Sequence, residues 1–95
     1  MYARVTSFKV DASRLDELPA KIKQMQPLVR ALPGIVDIYI AWRADGQGAV
    51  TAIYRTKAEA DVAVARIQAL WGALAGLLQA APRTDAYDTV EHVVG

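Results

Sequence analysis

The stretch that decides the fold runs from Ile35 to Arg55 and reads IVDIYIAWR, ADGQG, AVTAIYR. Val36, Ile38, Ile40 and Trp42 alternate with Asp37, Tyr39, Ala41 and Arg43. That period of two predicts a half-buried strand over Ile35 to Arg43. The linker Ala44-Asp45-Gly46-Gln47-Gly48 holds an Asp-Gly pair, a strong short-range hairpin signal. Ala49 to Arg55 returns as the second arm, with Val50, Ala52 and Tyr54 opposed to Thr51, Ile53 and Arg55.

Helical patterns flank this hairpin. Upstream, Leu15, Leu18, Ile22, Met25, Leu28 or Val29, and Leu32 recur at steps of three and four, one apolar stripe. Asp11 or Ser13 starts this helix, and Ser13 to Asp16 has capping-box spacing. Pro19 and Pro27 interrupt it, which predicts a kink or a broken first turn, and Pro33-Gly34 stops it. Downstream, Thr56-Lys57-Ala58-Glu59 is a second capping box. It opens a helix whose stripe is Ala60, Ala63, Ile67, Leu70 with Trp71, Leu74, Leu77 and Leu78, expected to end at Ala80-Ala81-Pro82. Tyr2 to Val10 and Asp85 to Val94 read as outer strands. The order β-α-β-β-α-β predicts a single α+β domain over residues 1–95 of the ferredoxin-like, split-βαβ kind. Its four-stranded antiparallel sheet should carry both helices on one face.

That topology leaves the other sheet face without helices. Tyr39, Ala41, Ile53 and Val93 share an alternate register there and are more apolar than a wet face allows. Apolar residues make up 54% of the 95, above the usual ~45–50%. A domain of this size buries only roughly 60–70% of its unfolded surface. Both observations predict a homodimer that packs sheet face on sheet face.

Charge and composition narrow the function classes. Eleven basic and ten acidic residues give a net charge of +1. They are scattered, which argues against a nucleic-acid partner. There is no cysteine and one histidine, so thiolate chemistry and Cys- or His-rich metal sites are excluded within one chain. Asp37, Asp88 and Glu91 make no metal-specifying pattern. No apolar run is long enough to span a membrane. Met1-Tyr2-Ala3-Arg4 enters the first strand without a signal-peptide stretch, which predicts a cytoplasmic protein.

Several segments resemble the antibiotic biosynthesis monooxygenase (ABM)-like families of the dimeric α+β barrel superfamily. They are the opening Met1 to Val5, Leu28 to Gly34, Ile53 to Ala60, the helix ending Ile67 to Trp71, and the closing Tyr87 to Val94. The resemblance implies homodimers with packed sheets and a pocket in each protomer between sheet and helices. It also implies either oxygenation of aromatic, polyketide-type substrates with dioxygen and without metal or flavin, haem opening, or no known reaction. Several members with assigned chemistry use a pocket asparagine. This chain contains none, so no catalytic residue carries over by motif.

Candidate site residues therefore come from their own chemistry. His92 is the one side chain that ordinarily titrates near neutrality, the natural candidate base; it is also placed as a structural histidine near a chain end. Tyr54 could hydrogen-bond a phenol or quinone oxygen, or be a buried tyrosine with a backbone partner. Trp42 and Trp71 should face the space between sheet and helices, as core or as flat walls for a planar ligand. Arg4 could offset a phenolate or enolate charge, or lie exposed at a strand edge. Gly72 and Gly76 predict close backbone approach, to the first helix or at a ligand entrance. Two functions remain open: a cofactor-independent monooxygenase of small aromatic or polyketide-like substrates, and a non-catalytic dimer that binds a small apolar or aromatic molecule. Haem binding is a third, with His92 as its one obvious ligand.

Overall fold

The computed structural model describes residues 1–94. Strand β1 (Tyr2–Lys9) passes through a short 3-10 helix (Ala12–Glu17) into α1 (Leu18–Arg30). Strands β2 (Ile35–Trp42) and β3 (Gln47–Tyr54) form the hairpin, followed by α2 (Lys57–Ala73) and β4 (Arg83–Tyr87). The sheet order is β2-β3-β1-β4 and every neighbouring pair is antiparallel. The β-α-β-β-α-β order expected from the sequence is therefore the order found, with both helices packed on one sheet face.

The caps follow local chemistry. Thr56 caps α2: its hydroxyl accepts from the Glu59 N–H at 3.1 Å, and the same hydroxyl donates to Glu59 Oε1 at 3.2 Å. At the upstream helix the cap is Asp11 rather than Ser13, with Oδ1 accepting from the Ser13 N–H at 3.0 Å and the Ser13 hydroxyl at 2.6 Å. The first turn is broken. The 3-10 helix has a non-helical Arg14, and α1 begins with Pro19 in its first turn, where a missing N–H costs nothing. Pro27 lies inside α1, which continues to Arg30.

Four readings of the sequence are corrected. A register shift between Ile35 and Asp37 bulges β2 at Val36. Val36 is exposed, and Ile35 takes its place against the core. The last strand spans Arg83–Tyr87 rather than Asp85 to Val94. Ser7 pairs with Arg83 and Ala3 with Tyr87, so later residues run past the start of β1 and find no partner strand in their own chain. Val93 therefore lies beyond the sheet face on which it was expected. Helix α2 ends at Ala73. The residues after it turn and tie to the end of β1, where Asp11 N–H donates to the Leu77 carbonyl and Gln79 N–H to the Lys9 carbonyl. Finally, a Cβ at Gly72 or Gly76 would meet nothing within 4 Å. Neither glycine serves a close approach, and Gly72 edges a shallow surface groove.

The core has two parts. Tyr2, Leu32, Ala52, Tyr54, Ala60 and Ala63 bury one end of the helix-sheet layer, with Val29 rather than Leu28 completing the α1 stripe. Phe8, Val10, Leu18, Leu74 and Leu77 bury the other. On the opposite face, ladder pairing places Ala3, Val5, Tyr39, Ala41, Thr51, Ile53 and Tyr87 together. Tyr39 is 67% exposed there.

Candidate functional site

The space between the two core clusters is a cavity of about 760 Å3, within the size range of small-molecule sites. Its origin is the size order of side chains along the strands. Large rings stand at the strand ends: Tyr2 opposite Tyr54, and Phe8 against Trp71 with ring centroids 5.6 Å apart. Between these ends the two strands present no ring: Arg4 pairs with Ala52 and Thr6 with Val50. The helices rest on the large ends and leave the middle unfilled. Ile22, Met25 and Val29 of α1 and Ile67, Leu70 and Trp71 of α2 wall the void, while Ile38, Ile40, Val50 and Ala52 form its floor.

The polar groups are few and gather on one side. Thr6 of β1 and Thr84 of β4 are ladder partners, with hydroxyl oxygens 2.8 Å apart. Arg4 is the next residue of β1 on the same face and also lines the cavity. Its guanidinium lies over the Tyr2 ring at 5.9 Å and donates to Asp61 Oδ1 at 3.0 Å. Asp61 Oδ2 accepts from Lys57 Nζ at 2.9 Å. The Lys57 hydrogen bond, reinforced by the charges of Lys57 and Arg4, holds the Asp61 carboxyl below the usual carboxylate range. Two cations thus share one carboxylate. Arg30 and the amides of Gln26 and Gln68 complete the polar lining. Among the described residues, no carboxylate, histidine, lysine or tyrosine lines the cavity, and no trio of metal-ligating side chains converges.

Arg4 and Trp71 are thus brought together at the cavity, as part of its wall. Trp42 is not: it stands at the far end of β2 opposite Gly48, 37% exposed. Tyr54 is fully buried in the end cluster rather than on the cavity wall, and its hydroxyl has no hydrogen-bond partner. Burial pushes its phenol upward, against a smaller opposing effect of Arg4. The backbone partner expected for this hydroxyl is absent. His92 lies beyond β4, exposed and off the cavity lining. Thr6 and Thr84 were not singled out from sequence. The available signal was a hydroxyl on an otherwise apolar strand face, between Tyr2 and Phe8.

Comparison with known proteins places the fold. No family model matches the chain, and no curated protein matches it in sequence. Solved structures do. A Nitrosomonas europaea protein of unknown function superposes with a TM-score of 0.80 at 14% identity, covering 99% of this chain and 93% of its own. A "putative antibiotic biosynthesis monooxygenase" from Bordetella bronchiseptica gives 0.77 at 16% identity, covering 95% and 97%. One of the same description from Caulobacter crescentus gives 0.78 at 18% identity, covering 95% and 90%. The chain shares the fold of these structures, an α+β domain of β-α-β-β-α-β order with a four-stranded antiparallel sheet and two helices. At these identities the likeness carries the fold and not the reaction. No helix among the described residues is long and apolar enough to cross a membrane.

Proposed function

We propose that this chain is an ABM-like homodimer that holds a small apolar or aromatic molecule in the cavity between sheet and helices. The single observation that carries this reading is the cavity itself. It is mostly apolar on floor and walls, with Arg4, Thr6 and Thr84 as a polar group on the β1-β4 side, the pattern of a small-molecule site. The exposed apolar sheet face around Tyr39, Ile53 and Tyr87 supports the dimer, because such a face is stable in water once a second copy covers it. Titration with an uncharged naphthylamine dye tests the binding. Saturable fluorescence that disappears when Val50→Trp fills the floor is the expected result; no saturable binding of this dye or of its anionic analogue overturns it. Light scattering at micromolar concentration should return twice the chain mass, and a monomer would remove the dimer.

A second reading, cofactor-independent monooxygenation, is favoured by the Arg4 cation beside a mostly apolar cavity. Such a site stabilises an electron-rich organic anion that reduces dioxygen directly. Structural neighbours described as "putative antibiotic biosynthesis monooxygenase", among them those from Bordetella bronchiseptica and Caulobacter crescentus, support this reading. Arg4 would bind the anion and Trp71 would flank the ring. Because no base lines the cavity, the substrate would enter already ionised, or His92 would be delivered from a second copy of the chain. Tyr54, buried at the end of the layer, would act at most by holding the wall. Oxygen uptake with a phenolic substrate, in the absence of metal and flavin, tests this reading. Uptake abolished by Arg4→Gln supports it, and no uptake across a panel of phenols leaves binding alone. His92→Ala with unchanged uptake would end the base role.

A further inference from the structure

The cavity's charge pattern narrows its ligand. We infer that the bound molecule is a monoanion, with an apolar body larger than one ring and a single anionic oxygen head seated at Arg4, Thr6 and Thr84. This rests on the cavity-binding reading above and adds to it the chemistry of the ligand.

Three observations converge. The charged lining consists of two arginines and no acid, so the field inside favours one sign of ligand charge. Among the described residues, the carboxylate paired with Arg4 is Asp61, and Lys57 takes its other oxygen. The Arg4-Asp61-Lys57 group therefore keeps one net positive charge beside the cavity. Arg4 spends one N–H on Asp61 while its ring contact with Tyr2 fixes its aim. Its remaining donors are those a planar anionic head would use.

The hydroxyl pair supplies the rest of the head site. Thr6 and Thr84 satisfy each other at 2.8 Å, a bond in which one hydroxyl donates. The accepting hydroxyl keeps its own proton free for a further acceptor. An anionic oxygen placed beside the pair takes that proton and the Arg4 N–H together. A neutral apolar ligand would displace water from these groups without offering an acceptor in its place, which is unfavourable. The opposite wall of Met25, Ile40 and Trp71 receives the body.

Two dyes of nearly equal shape test the charge. Anilinonaphthalene sulfonate carries an anionic head, and phenylnaphthylamine lacks it. The full-length protein should bind the sulfonate about tenfold or more tightly than the neutral dye, the discrimination expected of a charged hydrogen bond. Arg4→Gln should remove that difference by weakening the sulfonate far more than the neutral dye. Asp61→Asn, which frees Arg4, should tighten the sulfonate several-fold and not the neutral dye, whereas misfolding would raise the binding of both. Val50→Trp should abolish both, locating the dyes in the cavity. If both dyes bind the wild type equally and Asp61→Asn changes nothing, the anionic-head inference falls while cavity binding stands. If neither dye binds, both fall.

Discussion

The two ends of the helix-sheet layer are closed by the same device with different backing. At the Phe8 end, Gly46 turns the β2-β3 hairpin at φ +90°, and its carbonyl accepts from Val10 N–H at 2.9 Å. A Cβ there would stand 2.0 Å from the Val10 carbonyl oxygen. At the Tyr54 end, Gly34 turns the chain into β2 at φ +66°, and its carbonyl accepts from Arg55 N–H at 2.9 Å. There a Cβ would meet the Glu59 side chain at 2.6 Å. Backbone blocks one end and a side chain blocks the other. The lesson is that two glycines with the same conformational need are not equally replaceable. What decides is whether the obstructing atoms can yield.

The comparison breaks most directly at Gly46. Gly46→Ala combines a left-handed backbone with a clash against main chain. It should destabilise the fold by on the order of 4 kcal/mol, read as a drop in the urea midpoint at unchanged slope. Gly34→Ala meets the same backbone preference and, at 2.6 Å, both the Glu59 Cβ, which moves only with α2, and the Glu59 carboxylate end, which can swing aside. Its loss should be smaller, about 2 kcal/mol. Equal losses at the two sites would show that obstruction does not set the difference.

A buried hydroxyl sharpens the contrast at the Tyr54 end. Tyr54→Phe removes an unpartnered oxygen and keeps the ring that closes the layer. Stability should hold or rise by up to about 1 kcal/mol. A fall in thermal midpoint would mean that the hydroxyl has a partner after all, water or ligand, and would redraw the site around it.

The smallest effect is electrostatic. Each end has a carboxylate near its glycine. The Glu59 carboxyl is held below its ordinary range by the hydrogen bond from Arg55, aided by that residue's charge and by Thr56. The Asp45 carboxyl is held down by the Gln47 N–H, with Arg43 and Lys9 nearby. A carboxylate with a depressed folded pKa binds its proton more weakly than in the unfolded chain. Its contribution is present above the ordinary carboxylate range, near pH 4, and fades as pH falls through the lowered folded value. Asp45 is exposed and Glu59 half-buried, both within reach of solvent, so the effect is modest. The thermal midpoint should decline below about pH 4, and Glu59→Gln should flatten that decline slightly. An unchanged acid limb in Glu59→Gln would discard its share.

Much of this was legible before any coordinates. Alternation from Ile35 to Trp42, the Asp-Gly turn and the Thr56 cap are local patterns, and local backbone chemistry enforces them. The α1 stripe was equally readable, short of the choice between Leu28 and Val29. The failures share one cause, partner geometry. The Asp85 to Val94 alternation suits a strand, but β1 supplies partners only as far as Tyr87. Leu77 and Leu78 fit a helical stripe, yet the end of β1 claims Leu77's carbonyl and pairs with Leu78. At the site, Arg4 and Trp71 could be placed from register and stripe. Thr6 and Thr84 are 78 positions apart in sequence, and only the β1-β4 ladder brings their hydroxyls together.

By itself, then, the chain determined the hairpin around Gly46, the order of its elements and the apolar stripes that close the layer. These depend on turn chemistry and periodicity within a few residues. The tertiary structure decided where β4 stops, which of Ile35 and Val36 turns inward, and that the layer is open in its middle. A void is set by the sizes of side chains that meet from distant strands and helices, a quantity no local stretch contains.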